Sequence, residues 1–175
     1  PCSRKNAGWP AAGMPDKDKW KSARFSAPFG QASASQLHER MKYWLVKSEP
    51  HVYPLSQLKK DGVTVWDGVR NYQARNNLQA MKSGDLCLFY HSNEVREIVG
   101  LARVEKEAYP DPADNSATWF VVELAFEEVF PAPLTLAELK SVPALSNLEL
   151  IRQSRLSVCA VKEEEFDLIL KLTHP

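Results

Sequence analysis

Three stretches of this 175-residue sequence end an apolar run on polar groups beside an aromatic side chain. The first carries Trp44, Lys47, Ser48 and Glu49. The second carries Trp66, Asp67, Asn71, Tyr72 and Arg75, and the third Tyr90, His91, Ser92 and Asn93. Taken singly, the tryptophans read as core and the rest as turn chemistry. As a set they offer what a planar, hydrogen-bonding ligand requires. Stacking on an aromatic side chain is worth about 1–3 kcal/mol per base, and edge hydrogen bonds select which base. Asn71 and Arg75 are four residues apart and share a helix face.

Other chemistries find less support. Glu49 and Asp67 each follow a strand and could face one cleft as paired acids, but spacing alone does not set their distance. His91 and Ser92 are adjacent on a strand, so their side chains point to opposite faces and rarely hydrogen-bond as base and nucleophile. Both could line a pocket rim. No His-x-x-His or His-Glu-x-x-His spacing points to a metal. The seven glycines are scattered and form no phosphate loop. No cofactor is expected. Glu163, Glu164 and Glu165 open a helix, complement its dipole and read as solvated. Cys87 and Cys159 have apolar neighbours and read as buried thiols, while Cys2 lies apart; the simplest inference is a reducing compartment.

The elements that must position these groups follow from periodicity and punctuation. Strands are predicted over 43–48, 63–66, 86–91, 98–104, 119–130 and 155–158, with 86–91 almost wholly apolar and central. A short helix starts near Pro54 and stops at Gly62. A second spans 71–82, with Ala74, Leu78 and Met81 inward. A third begins at Thr135, whose spacing to Glu138 is that of a capping box. A fourth covers 162–172, with Phe166, Ile169 and Leu170 inward. Asp67-Gly68 is a turn, Tyr109 to Pro112 a loop, and 113–118 a variable loop. Gly100 allows a bulge or close packing. Strands neither alternate regularly with helices nor stand alone, so the class is α+β, economically a small barrel of five or six strands surrounded by helices.

Charge divides the chain. The 22 Lys and Arg balance 22 Asp and Glu, which argues against a protein that coats nucleic acid by bulk electrostatics. Residues 1–40 nevertheless carry seven basic against three acidic residues, leaving 15 against 19 in 41–175. The first segment is rich in Ala, Ser, Gly, Pro and Lys and has no sustained period. It reads as a leader with Met41 the natural start, as a disordered basic tail that helps hold nucleic acid, or as an organelle transit peptide. It has no apolar core of a secretory signal, so secretion is not expected, and no run is long enough to span a bilayer.

The same stretches resemble the EVE domain family. Residues 43–50 (Tyr-Trp-Leu-Val-Lys-Ser-Glu-Pro) are similar to the family's opening signature, and 66–76 (Trp-Asp-Gly-Val-Arg-Asn-Tyr-Gln-Ala-Arg-Asn) to its most distinctive block. Gly84-Asp85, residues 89–93, 109–112, 134–140 and 155–158 follow in order, so the match runs from Met41 to about Leu172. Cys159 and Ala160 depart from the family's Ser-Val-x-Pro. The resemblance implies a PUA-like barrel related to YTH domains. It implies a pocket for a flipped, modified cytosine or adenine of DNA or RNA. Trp66 would be a wall, with Lys47, Ser48 and Glu49 on the rim. Asp67, Asn71, Tyr72 and Arg75 would continue round the mouth, with Tyr90, His91 and Ser92 opposite. The expectation is a non-catalytic reader of a modified base, a monomer without membrane attachment, cytoplasmic in a bacterium or nuclear in a eukaryote. An enzyme acting on a nucleotide or small metabolite through Glu49, Asp67 or His91 is the alternative, and a cleft for a peptide or other small ligand a third reading.

Overall fold

The computed structural model describes residues 41–175. The expectations for residues 1–40, Cys2 included, lie outside them. Among the described residues six strands form one mixed sheet: β1 (Tyr43–Ser48), β2 (Val63–Trp66), β3 (Leu86–His91), β4 (Glu97–Pro110), β5 (Phe120–Thr135) and β6 (Val158–Val161). Their order is β2-β5-β4-β3-β1-β6. β1 runs parallel to β3 and antiparallel to β6, and the other neighbours pair antiparallel. The helices are α1 (Leu55–Asp61), α2 (Tyr72–Ala80), α3 (Leu136–Ser141), the single turn α4 (Glu149–Arg152) and α5 (Glu163–Thr173). The class is α+β, as expected. Hydrogen bonding stops short of closing a barrel, because β2 and β6 end the strand order at opposite edges.

The local causes are legible. Asn71 caps α2, its side chain accepting from the Ala74 amide at 3.0 Å. Met81 leaves the helix with ψ 140° yet stays fully buried beside Ala74 and Leu78. The expected helix to Lys82 is therefore two residues too long: the inward period continues through a residue that is already extended. Gly62 ends α1 at φ +76°, a value that favours glycine. Thr135 and Glu138 form the expected capping box. The thiols of Cys87 and Cys159 are buried, and burial pushes Cys159 up to about 11.

Three strand boundaries differ from expectation. β4 runs on to Pro110, since Tyr109 pairs with Val121 and Pro110 with Phe120. The predicted loop is the end of a long hairpin, where a proline lacks no needed donor. β5 continues past Pro131 and Pro133, which fall between the Val129–Gly100 and Leu134–Ile98 pairs, inside a register shift that frees them from the ladder. The last strand is Val158–Val161, not 155–158. Its apolar run pairs with Val46 to Tyr43, and Leu156 closes a turn on the Gln153 carbonyl at 3.1 Å. Glu165 is buried, not solvated, because its carboxylate accepts from the Lys162 amide that precedes α5.

The core gathers around Leu45, Phe89, Leu88, Leu101, Leu124 and Phe166, all essentially inaccessible. Each such side chain contributes about 1.5–3 kcal/mol by leaving water. Gly100 is required by close packing: a Cβ there would lie 2.2 Å from the Glu128 carbonyl oxygen and 2.4 Å from Leu55 Cδ2. That contact seats α1 against the β4–β5 pair. Trp44 also belongs to the core. Its indole Nε1 donates to Asp85 at 2.9 Å, and the buried Asp85 carboxylate further accepts the Lys42 and Lys82 amides.

Candidate functional site

The strand order separates β2 from β1 by three strands, yet both reach one cavity. Its volume is about 600 Å³, within the range of small-ligand sites. Lys47, Ser48 and Glu49 enter from the end of β1, Thr64, Val65 and Trp66 from β2, and Ser157 from the turn before β6. The sheet is thus rolled so that its β2 edge and the turn leading into its β6 edge meet at the cavity. Asp67, Gly68 and Val69 continue the lining, and Val52 and Tyr53 complete it.

Trp66 supplies the buried aromatic wall at 8% exposure. Its ring lies edge-on to Phe89 at 5.6 Å and to Tyr53 at 6.5 Å. Ser48 donates to the Tyr53 carbonyl at 2.7 Å, and the Tyr53 hydroxyl donates to Asp61 at 2.7 Å, so the 49–54 loop is tied at both ends. Lys47 donates its ammonium to the Ser154 carbonyl at 2.9 Å, which anchors the turn carrying Ser157. Burial holds the Lys47 pKa below the ordinary lysine value. Glu49 lies 3.1 Å from His51 Nε2 at an exposed position. Gly68, at φ +71°, turns the chain away from β2. The arrangement offers an apolar face, a hydroxyl, an ammonium and two carboxylates around one opening.

Of the eleven residues expected at the site, Lys47, Ser48, Glu49, Trp66 and Asp67 line this cavity. Six stand elsewhere. Tyr90 is buried on β3. His91 sits one ring behind Phe89, at 5.7 Å. Its Nε2 accepts the Leu55 amide at 3.2 Å and so caps α1, and burial lowers its pKa. Ser92 is spent on the Ser48 carbonyl, through its amide at 2.8 Å and its hydroxyl at 3.3 Å. Asn71 is the cap of α2. Tyr72 and Arg75 face outward with Trp119, away from the cavity lining.

Tyr53, Val52, Thr64, Val65, Val69 and Ser157 were not expected at the site. An aromatic just before Pro54 was a usable signal for Tyr53. Ser157 carries none and reaches the cavity through long-range pairing: Lys47 donates to the Ser154 and Ser157 carbonyls, and the β1–β6 ladder begins at the next residue. The sequence departure at 160 has a local partner. The Ala160 amide donates to Glu149 at 2.9 Å, a donor that a proline would lack. Among the described residues no group of three or more His, Cys, Asp or Glu could hold a metal, and no helix is long and apolar enough to cross a membrane.

Comparison with known proteins places the chain in a family and a fold. The family model for the EVE domain matches residues 42–172. Human thymocyte nuclear protein 1 is 35% identical over 175 residues, covering 81% of this chain and 78% of the relative. The solved structure of a protein from Rhodopseudomonas palustris superposes with a TM-score of 0.73 at 43% identity, covering 76% of this chain and 93% of that one. A structure of the human THYN1 protein in complex with 5-methylcytosine containing DNA superposes with a TM-score of 0.70 at 37% identity, covering 77% and 98%. The fold is the PUA-like one that the motifs implied, and this chain belongs to the EVE domain family.

Proposed function

We propose that this protein is a non-catalytic reader that binds a modified nucleobase of a nucleic acid in the cavity between β1, β2 and the turn before β6. The observation that carries the reading is the cavity itself: one buried indole wall ringed by hydrogen-bonding groups at the gap of an unclosed sheet. A flat, extruded base needs that combination, with stacking for affinity and edge contacts for selection. The related human protein in complex with 5-methylcytosine containing DNA makes that base in DNA the first ligand to test. Lys47, Ser48 and Asp67 are the groups proposed to read its edge, and Trp66 to stack on it. The partner is a nucleic acid, and the protein's place is wherever that nucleic acid is kept.

The test is affinity for oligonucleotides that differ only in one cytosine or 5-methylcytosine, extended to a panel of other modified bases. A higher affinity for one modified strand is expected, with the ratio collapsing in Asp67→Ala and Trp66→Phe. Equal affinities across the whole panel would sink the reading. A second reading is favoured by one observation, that Glu49 and Asp67 both line the cavity. An enzyme using them would turn over a nucleotide and lose that turnover in Asp67→Asn.

A further inference from the structure

Beside the cavity lies a second group of aromatics and cations that the base pocket does not use. Val69 lines the cavity, and the next residue, Arg70, already belongs to this group. The Tyr72 and Trp119 rings lie 5.3 Å apart, tilted by 33°. The Arg75 guanidinium sits 5.0 Å from the Tyr72 ring centre, and that of Arg70 sits 5.5 Å from Trp119. Tyr72 is 64% exposed on the first turn of α2, where it adds nothing to the core.

The group is held in place rather than left loose. Asp114 accepts the amides of Ser116, Thr118 and Trp119 at 3.0, 2.8 and 2.9 Å and the Ser116 hydroxyl at 2.7 Å. The loop that looked variable in sequence is therefore a bracket for Trp119. Arg70 is neutralised by the buried Asp111 at 3.1 Å, which makes it a positioning group. Among the described residues Arg75 hydrogen-bonds only to neutral acceptors, the Thr118 carbonyl at 3.3 Å and the Asn76 side-chain oxygen.

We propose that Tyr72 and Trp119 form a ledge on which an unpaired base flanking the one in the cavity stacks, with Arg75 meeting the adjoining phosphate. The proposal rests on the nucleic-acid reading of the cavity but not on which base is modified. An exposed ring stacks on any base, so the ledge supplies affinity without sequence choice. Arg75 keeps its charge for a phosphate oxygen, a contact that salt weakens.

The test uses the full chain and a labelled single strand of DNA, with either cytosine or 5-methylcytosine at its centre. Tyr72→Ala should weaken both strands alike, by roughly tenfold for one lost stack, and leave their ratio unchanged. Tyr72→Phe should bind as the wild type does. Arg75→Gln should reduce the slope of log affinity against log salt by about one. Replacing the neighbouring nucleotide by an abasic one should cost the wild type as much as Tyr72→Ala does, with no added loss when the two are combined. Unchanged affinity in Tyr72→Ala, or losses that add in full, would overturn the ledge. So would a loss confined to the modified strand, which would put Tyr72 in the cavity. A wild-type ratio of one sinks the reader while Tyr72→Ala on the cytosine strand still decides the ledge, and no binding of either strand by the wild type overturns both.

Discussion

Trp66 and Tyr72 stand six residues apart in one sequence block, yet the backbone sends them to opposite circumstances. Trp66 ends β2 and is buried in a chain of rings, Tyr53, Trp66, Phe89 and His91, each edge-on to the next. Tyr72 opens α2 after the Gly68 turn and lies in the open between Arg75 and Trp119. An enclosed ring can reject a ligand of the wrong outline, because its neighbours cannot move. An exposed ring accepts any flat partner. Burial, more than residue type, separates what can choose from what can only hold.

The largest effect expected of any single change is in Trp66→Ala. Removing a buried indole from the core should lower the unfolding free energy by about 3–5 kcal/mol, measured by urea denaturation. Trp119→Ala, at a half-buried site, should cost less than about 1 kcal/mol. Equal costs would erase the distinction between the two regions. Gly100→Ala comes next. It forces Leu55 and the Glu128 carbonyl apart, for about 1–3 kcal/mol. Since α1 follows the Tyr53 loop, its discrimination between modified and plain strands should suffer while Tyr72-dependent affinity is kept.

His91 sharpens the comparison through pH. Its Nε2 must accept the Leu55 amide, which an imidazolium cannot do, and burial lowers its pKa in the fold. The unfolded chain therefore takes up the proton first. Stability from this group is complete above about pH 6.5, the ordinary value, and is lost as pH falls below it. Denaturation at stepped pH should show a steeper decline in the wild type than in His91→Gln. The smallest effect is Asp114→Asn. The Ser116 hydroxyl, and then the Trp119 amide, hold the Asp114 carboxyl down to about 2, so its turn should persist through ordinary acid conditions. The variant should exchange the amide protons of Ser116, Thr118 and Trp119 faster while the thermal midpoint stays put.

Much of this was legible because it is local. β1, β2 and β3 carry their own patterns, Asn71 and Thr135 announce their helices, and Trp66 and Lys47 to Glu49 pointed to two of the elements that line the cavity. What was not legible depends on pairing across the chain. Pro131 and Pro133 argue against a strand unless one knows that the register slips there. Ser157 reaches the cavity through its bond from Lys47 and the β1–β6 pairing beside it, and Trp119 meets Tyr72 across a loop that Asp114 and Asp111 hold. His91 and Ser92 were read as ligand groups from their place at a strand end. The structure shows both committed to holding the backbone.

The gap between β2 and β6 has a cost beyond recognition. A closed barrel hides every strand edge, whereas this sheet leaves two, each a template on which a foreign strand could extend the sheet into an aggregate. Both edge strands are only four residues long, and β6 is further covered where Asn77 of α2 donates to the Val158 carbonyl at 2.8 Å. Brevity and that clasp let the fold keep an entrance without offering a seam to other chains. Lengthening either edge strand would trade solubility for a tighter barrel.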